Sequence, residues 1–588
     1  MVRKVINLVK IIIQKLLTSF KRFPLPLLMA VATVIHLMWL NHLDYGGRLN
    51  RDSITRVAMA LALGVPVFLC VKMYLERSVH RTKKTIGIIY TVASLFLGIN
   101  YFLFLRNELD MVNITRYFGL TLAFYIAFTY IPYLDRKANY DLYVIKLITR
   151  FFIVFIYSVV LFFGLIAIIF TVDQLFSVGL SGEIYFDIWL MVAGIFAPAF
   201  FLGEIPAYGE NMNTKDYPKV FKVLVLYIIM PLLSVYTVIL YSYFVKILIT
   251  RQWPQGLITN LVLWYSVIST IIIFLTQPLT EENQWAKVFK QALSKAIIPL
   301  LAMMFVALFI RINEYGITES RYFVLVVGLW VTGSMLYFAI RKNQRNILLA
   351  ISISLVALLS VVGPVSSYSI SKYSQNMRLK SILVDNSMLQ QDGIIPEKNA
   401  PQEVISEVSE IVHYFKEYHS LKDLNYVPDD FDLETMEQVF GFQFNRHQDG
   451  RYNYPQYHHY DLGDSSNLYI IKEFDYFIPL EYYSHRNKGL NFDQDNLSIE
   501  YKESKNEISI SYKGEVIYTK NIEDLAVNIH QTNSNKKPST AEELSFNDEN
   551  HKVKVFFGFK RFMLVENKKT AEFGMESFDM YFFVKIKQ

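Results

Sequence analysis

Residues 311–322 read RINEYGITESRY and place two arginines, two glutamates and two tyrosines between apolar runs at 296–310 and 322–340. Arg311 and Arg321 stand at the two ends of this island, with Glu314 and Glu319 in reach as ion-pair partners. Charged groups at that level stop two helices at the headgroups, or converge on one polar part of a lipid-linked substrate. Tyr315 suits an interface, where its ring is apolar and its hydroxyl wet. Gly316 permits a tight turn, and Thr318 and Tyr322 complete the candidate functional hairpin. A second candidate lies at 184–203, where Asp187 and Glu204 flank opposite ends of an apolar run and Pro198 interrupts it in GIFAPAFFLG. A helix broken by proline, with acids at its ends, can line an ion or substrate path. The plainer alternative is a kinked structural helix with interfacial carboxylates.

A third polar cluster, NRHQDGRYNYPQYHHYDLGD at 445–464, holds His447, Asp449, His458, His459, Asp461 and Asp464. Its spacing fits no metal motif, and adjacent His458 and His459 would face opposite sides of a strand. It reads as a polar surface loop. No P-loop, GxGxxG within a βαβ unit, GxSxG elbow or HExxH occurs. No metal or cofactor is expected. An enzymatic activity is left open, with the balance against one.

These residues need elements to position them. Of the 588 residues 53% are hydrophobic and only 19% charged, where a soluble chain carries about a quarter charged. A helix needs about 20 mostly apolar residues to cross a bilayer. Eleven runs qualify: 24–41, 53–75, 85–105, 117–134, 147–172, 184–203, 223–249, 258–277, 296–310, 322–340 and 347–370. The ninth is the shortest. The single cysteine, Cys70, lies inside an apolar run, so no intramolecular disulfide can form.

Charge divides the chain in two. Residues 1–370 carry a net +16 and residues 371–588 a net −10, and all six tryptophans precede residue 370. Residues 1–22 hold six basic and no acidic residues at helical apolar spacing. They form an amphipathic helix suited to an anionic leaflet, and an uncleaved anchor fits better than a signal peptide. With the N-terminus inside, the inner segments carry 22 Lys and Arg and the outer loops 7. That bias sets orientation. Eleven crossings then put residues 371–588 outside the cytoplasmic membrane.

The expected domains are the amphipathic segment 1–22, a transmembrane region 23–370, a helical linker 371–420 and an extracytoplasmic β-rich domain 421–588. Within 397–420, Val404, Ile405, Val408, Ile411, Val412 and Phe415 form one helix face. From about 465 the pattern alternates, with strands at 467–474, 476–483, 497–502, 507–514, 515–520, 553–565 and 580–587. Lys513-Gly514 marks a hairpin turn, and 531–543 a loop.

The pattern Arg311, Tyr315, Gly316, Thr318, Glu319, Arg321, Tyr322 and Trp330 resembles the signature hairpin of the bacterial membrane family called domain of unknown function 4153. EIP at 204–206 and YSQNMRLKSIL at 373–383 are similar to that family as well, and the resemblance covers roughly 140–420. It implies a multi-pass membrane region followed by a soluble C-terminal part, and no activity.

The fold expected is a polytopic α-helical membrane protein of about 11 transmembrane helices with a C-terminal soluble α+β domain. The function expected is that of an envelope sensor, scaffold or binding protein, and the alternative is a transporter or channel using the proline-broken sixth helix. Membrane lipid is an expected partner, with an envelope protein or small ligand beside it. The acidic C-terminal part disfavours nucleic acid and other anionic polymers. Protease added to intact spheroplasts should therefore cut residues 371–588. A tail left whole while an exported control is digested would overturn this sidedness.

Overall fold

The computed structural model describes residues 14–43, 48–78, 81–106, 109–135, 139–210, 212, 217–250, 257–341, 344–390, 393–444, 456–461, 471–483, 490–494, 496–502, 505–532, 542–567 and 572–587. Most of the amphipathic segment, most of 445–464 and the centre of the 531–543 loop fall outside them. The chain forms two compact units, Met1–Arg446 and His447–Gln588.

Ten helices among the described residues are long and apolar enough to cross a bilayer. They are α1 Pro24–Asn41, α2 Arg48–Glu76, α3 Lys83–Leu105, α4 Met111–Tyr133, α5 Tyr140–Phe176, α6 Glu183–Gly203, α7 Lys219–Thr250, α8 Leu257–Thr276, α9 Gln284–Tyr315 and α10 Glu319–Ile340. Their centre is apolar and enclosed: Leu300, Leu301 and Met304 of α9 and Val331 and Met335 of α10 are buried. Their outer faces are equally apolar yet bare. On α5, Val160, Phe163 and Leu175 are 66%, 63% and 73% exposed. Apolar surface on that scale requires a covering phase other than water, and lipid is that phase. Ser234, Thr237, Ser242, Thr332 and Ser334 return their hydroxyls to the carbonyl four residues earlier, so no donor is presented to hydrocarbon.

Two expected spans have different lengths. The ninth is not short: α9 has 32 residues. Lys287, Lys290 and Lys295 interrupt the apolar run without stopping the helix. The eleventh is short: α11, Ile347–Leu359, has 13 residues, about 20 Å. Gly363, at φ +87°, and Pro364 follow its end and preclude continuation. The segment nevertheless traverses the length of α10. Arg345 donates its N–H to Tyr337 Oη near the end of α10, Trp330 Nε1 donates to Ser352 Oγ at 2.9 Å midway, and Tyr322 Oη donates to the Val365 carbonyl at the start of α10. The chain after residue 365 therefore leaves on the same side as the α9–α10 hairpin.

In the sixth span, where a proline break is expected, a π turn at Val192–Phe196 interrupts the α-helical geometry just before Pro198. Pro198 offers no N–H to the Gly194 carbonyl, and the helix absorbs this with that turn and continues to Gly203. A Cβ on Gly194 would lie 2.3 Å from Val34 Cγ2, so α6 depends on that glycine to approach α1.

Beyond the hairpin, α12 Ser367–Asp385, α13 Gln402–Tyr418 and α14 Met436–Phe440 form a helical layer. Leu379 and Leu383 of α12 share a core with Val408, Val412 and Phe415 of α13 and with Phe440. This is the helix face expected within 397–420. Residues 371–420 thus pack as part of the first compact unit.

The second unit is α+β. One antiparallel sheet takes β1 Gln456–Asp461, β2 Tyr476–Tyr483, β8 Val553–Asn567 and β9 Glu572–Ile586 in the order β1-β8-β9-β2, with β7 Ser545–Glu549 also on β8. The other is a meander of β3 Leu490–Gln494, β4 Leu497–Lys502, β5 Glu507–Tyr512 and β6 Glu515–Asn521. Lys513 and Gly514 turn β5 into β6 with φ of 53° and 83°, the doubly left-handed geometry that matches strand twist. α15, Ile522–Thr532, closes the core, where Tyr501 of β4, Ile510 of β5, Phe557 of β8 and Phe582 of β9 are buried together. The strand expected at 467–474 does not form over the described 471–474, which turn instead.

Candidate functional site

The hairpin is built by local chemistry and closed by a distant helix. α9 ends at Tyr315, and Gly316 takes φ +68°. A Cβ there would lie 2.8 Å from Gln375 Nε2 and 3.3 Å from Ser374 Oγ, so only glycine fits both the angle and the space. Thr318 is the extended N-cap residue of α10, with Glu319 in its first turn. The bend leaves three carbonyls outside any helix ladder. Gln375 Nε2 donates to those of Tyr315 and Ile317 at 3.0 and 3.1 Å. Arg321 Nη1 donates to those of Tyr315 and Gly316 at 3.2 and 2.7 Å. The Ile317 N–H donates to Ser374 Oγ at 2.8 Å. The guanidinium groups of Arg321 and Arg378 lie 5.3 and 5.8 Å from the Tyr315 ring centre, within cation–π range.

Glu319 reaches into the helical layer. Tyr414 Oη donates to its two oxygens at 2.8 and 2.7 Å, and His419 Nε2 lies 2.7 Å from Oε1 with its side chain almost fully enclosed. Burial, then the Glu319 charge, push the Tyr414 hydroxyl well above the ordinary tyrosine range, so it stays a donor. Arg311 is half-buried and Glu314 exposed in the last turns of α9. Arg321 holds backbone and Glu319 holds α13 and its end.

The YSQNMRLKSIL stretch now has a physical reading. Ser374 and Gln375 clamp the hairpin. Asn376 donates to the Asp423 carbonyl and accepts from the Asn425 N–H. Arg378 faces Glu407 and Glu410 on α13 at 3.5 and 3.7 Å, and Leu379 and Leu383 are buried against α13.

The α6 residues are brought to three separate places. Asp187 accepts from Asn41 Nδ2 at 3.0 Å and from His42 Nε2 at 2.6 Å, while His42 Nδ1 lies 2.9 Å from Glu183. Two carboxylates, one at each ring nitrogen, favour the protonated imidazolium, which donates from both. Its pKa is accordingly raised, chiefly by the Asp187 hydrogen bond. At the other end Glu204 meets Lys15 and, at 2.8 Å, Arg150. Arg22 clasps Glu76 at 3.0 and 2.8 Å and donates to the carbonyls of Ile205 and Pro206. The EIP stretch is therefore a docking point for three cations. Asp187 and Glu204 are 17 residues apart on one helix, about 26 Å. Between them Pro198 lines an apolar groove of about 710 Å³.

Sequence reasoning missed one polar cluster. Lys290 is buried on α9 and donates to the side-chain oxygens of Gln277 and Gln344, with Asp141 in electrostatic range. The available signal was a lysine on the same helix stripe as Ala286, Phe289, Leu293 and Ile297. In the 445–464 cluster, His459 and Asp461 lie exposed on β1, and no group of three His, Cys, Asp or Glu among the described residues is placed to hold a metal.

The family model described as domain of unknown function (DUF4153) matches residues 23–396. The chain belongs to the DUF4153 family. An uncharacterized protein of Pasteurella multocida (strain Pm70) is 21% identical over 384 residues, covering 65% of this chain and 63% of that relative. The chain thus spans somewhat under two thirds of the curated relative it matches. No solved structure matches it. The DUF4153 match takes in the hairpin, EIP and the α12 clamp, and ends before α13, which carries Tyr414.

Two outcomes follow. Gly316→Ala should lower stability by about 1–3 kcal/mol, measured by denaturation in detergent, whereas Gly333→Ala, where a Cβ meets nothing within 4 Å, should not. Equal effects would remove the clamp argument. A histidine with a raised folded pKa stabilises fully below its ordinary value of 6.5 and loses that contribution as pH rises through the raised value. Asp187→Asn should therefore bring the His42 titration, followed by NMR, back down. An unmoved titration would detach His42 from Asp187.

Proposed function

We propose that this protein is an envelope-binding or sensing protein of the cell membrane whose extramembrane part is mechanically coupled to α9 and α10. The observation that carries this reading is the Glu319 junction, where one carboxylate in the membrane hairpin is shared by Tyr414 and His419 about a hundred residues later. Breaking a buried, hydrogen-bonded charge cluster costs several kcal/mol. A displacement of α13 is therefore transmitted to the hairpin instead of being absorbed between them. Such a contact suits a protein in which events outside the bilayer are felt within it, or the reverse. With the N-terminus cytoplasmic, the coupled layer and the β-rich unit face the envelope.

A transport path along α6 finds less support. Its two carboxylates are engaged at opposite helix ends, and the groove at Pro198 between them is apolar.

In a strain lacking the gene, a chain deleted for 397–588 should insert in the membrane and fail to restore the knockout phenotype. Tyr414→Phe, which removes one donor and keeps the ring, should restore it only in part. Full complementation by the truncated chain would refute the reading.

A further inference from the structure

The groove beside α6 is bounded by α2, α4, α5 and α6. Leu69, Phe128, Ile148, Phe155, Ala193 and Phe201 are among its lining residues, and its walls are almost wholly apolar. It opens on the flank where Phe151, Phe152 and Phe155 are more than half exposed. An apolar space of this size does not hold ordered water, because a water needs two to four polar partners. On a bare transmembrane flank, hydrocarbon chains are the material at hand.

One end of the groove is not neutral. Phe201 and Leu202 line it, and Glu204 follows two residues later. Ile148 and Phe151 line it, and Arg150 lies between them. The Lys15 ammonium lies 5.7 Å from the ring of Phe200, next to Phe201. Four cations, Lys15, Arg22, Lys72 and Arg150, share two carboxylates there, Glu76 and Glu204. The neighbouring pairs Arg77–Asp135 and Lys146–Glu210 balance internally. Among the described residues of this cluster two positive charges are thus in surplus, and the side chains of Lys15 and Arg150 remain 36% and 37% exposed. The arginine fork meets Glu204 through Nη1 and keeps further N–H donors, the geometry that suits a phosphate.

We propose that the groove seats an acyl chain of an anionic glycerophospholipid whose phosphate rests against Arg150 and Lys15. The charge surplus selects an anionic headgroup over a zwitterionic one, and the apolar walls select a lipid over a free anion. The site lies at the end of the helices that the lysine and arginine count assigns to the anionic inner leaflet. This inference stands apart from the coupling at Glu319.

The test uses the full-length protein, delipidated in a mild detergent, with native mass spectrometry and thermal unfolding as readouts. Dioleoyl phosphatidylglycerol should form a retained adduct and raise the unfolding midpoint. Dioleoyl phosphatidylcholine and inorganic phosphate should do neither. Arg150→Gln should weaken the phosphatidylglycerol adduct about tenfold. Ala193→Trp, at an exposed lining position, should abolish the adduct while leaving the lipid-free midpoint unchanged. Equal retention of phosphatidylcholine would mean an ordinary lipid-facing surface. Equal protection by inorganic phosphate would mean an anion site without a chain. Wild-type affinity in both variants would place any bound lipid elsewhere. Each of these three results overturns the proposal.

Discussion

Everything on the hairpin-side face of the first unit depends on satisfying backbone where α9 gives way to α10. The bend strips the carbonyls of Tyr315, Gly316 and Ile317 of helix partners at a half-buried position, and leaving one buried carbonyl unmade costs about 1–3 kcal/mol. Arg321 and Gln375 supply the donors. Because Gln375 stands on α12, that requirement fixes α12 over the hairpin. Because α12 shares its core with α13, the helical layer is fixed in turn. A local need at one glycine thereby organises about a hundred residues of chain.

The opposite ends of the helices solve a different problem. Here the cost is charge, and it is met by concentrating cations on few acids. Glu76 and Glu204 serve Lys15, Arg22, Lys72 and Arg150, which ties the N-terminal segment to α2, α5 and α6. The two ends of the helical region therefore differ in kind. One is a hydrogen-bonded joint with its charges spoken for, and the other is an ionic knot with positive charge left over.

Much of this architecture was legible in the chain because hydrocarbon imposes a coarse rule on length and polarity. The ten long helices follow from it, and so do the strands at 476–483, 497–502 and 507–512, where apolar alternation is strong. The errors have physical causes. Lysines at 287, 290 and 295 masked the reach of α9, since a helix end can run on beyond the apolar core. Gly363-Pro364 shortened the eleventh run, although its hydropathy is high. β3 (LNFDQ) and β7 (SFNDE) are too polar to announce themselves and exist because their neighbours offer paired edges. The polar island at 311–322 was recognisable as a unit. Its partners were not, because Gln375, Tyr414 and His419 are separated from it by loops whose course no periodicity encodes. At Pro198 a local rule was right about the missing hydrogen bond and silent about the π turn that accommodates it.

The clamp also has a place in time. Gln375 follows Tyr315 by 60 residues, which at ribosomal speed is about 3 to 12 seconds of synthesis. Throughout that interval α9 and α10 exist without the groups that close their bend, and water must stand in for Gln375 and Ser374. The hairpin is thus finished last, by a helix that arrives only after the neighbouring segment has traversed the bilayer. A chain truncated ahead of residue 374 would carry every long span and still hold an unsealed joint. Biogenesis machinery that retains incompletely assembled membrane proteins would have a defined place to find it.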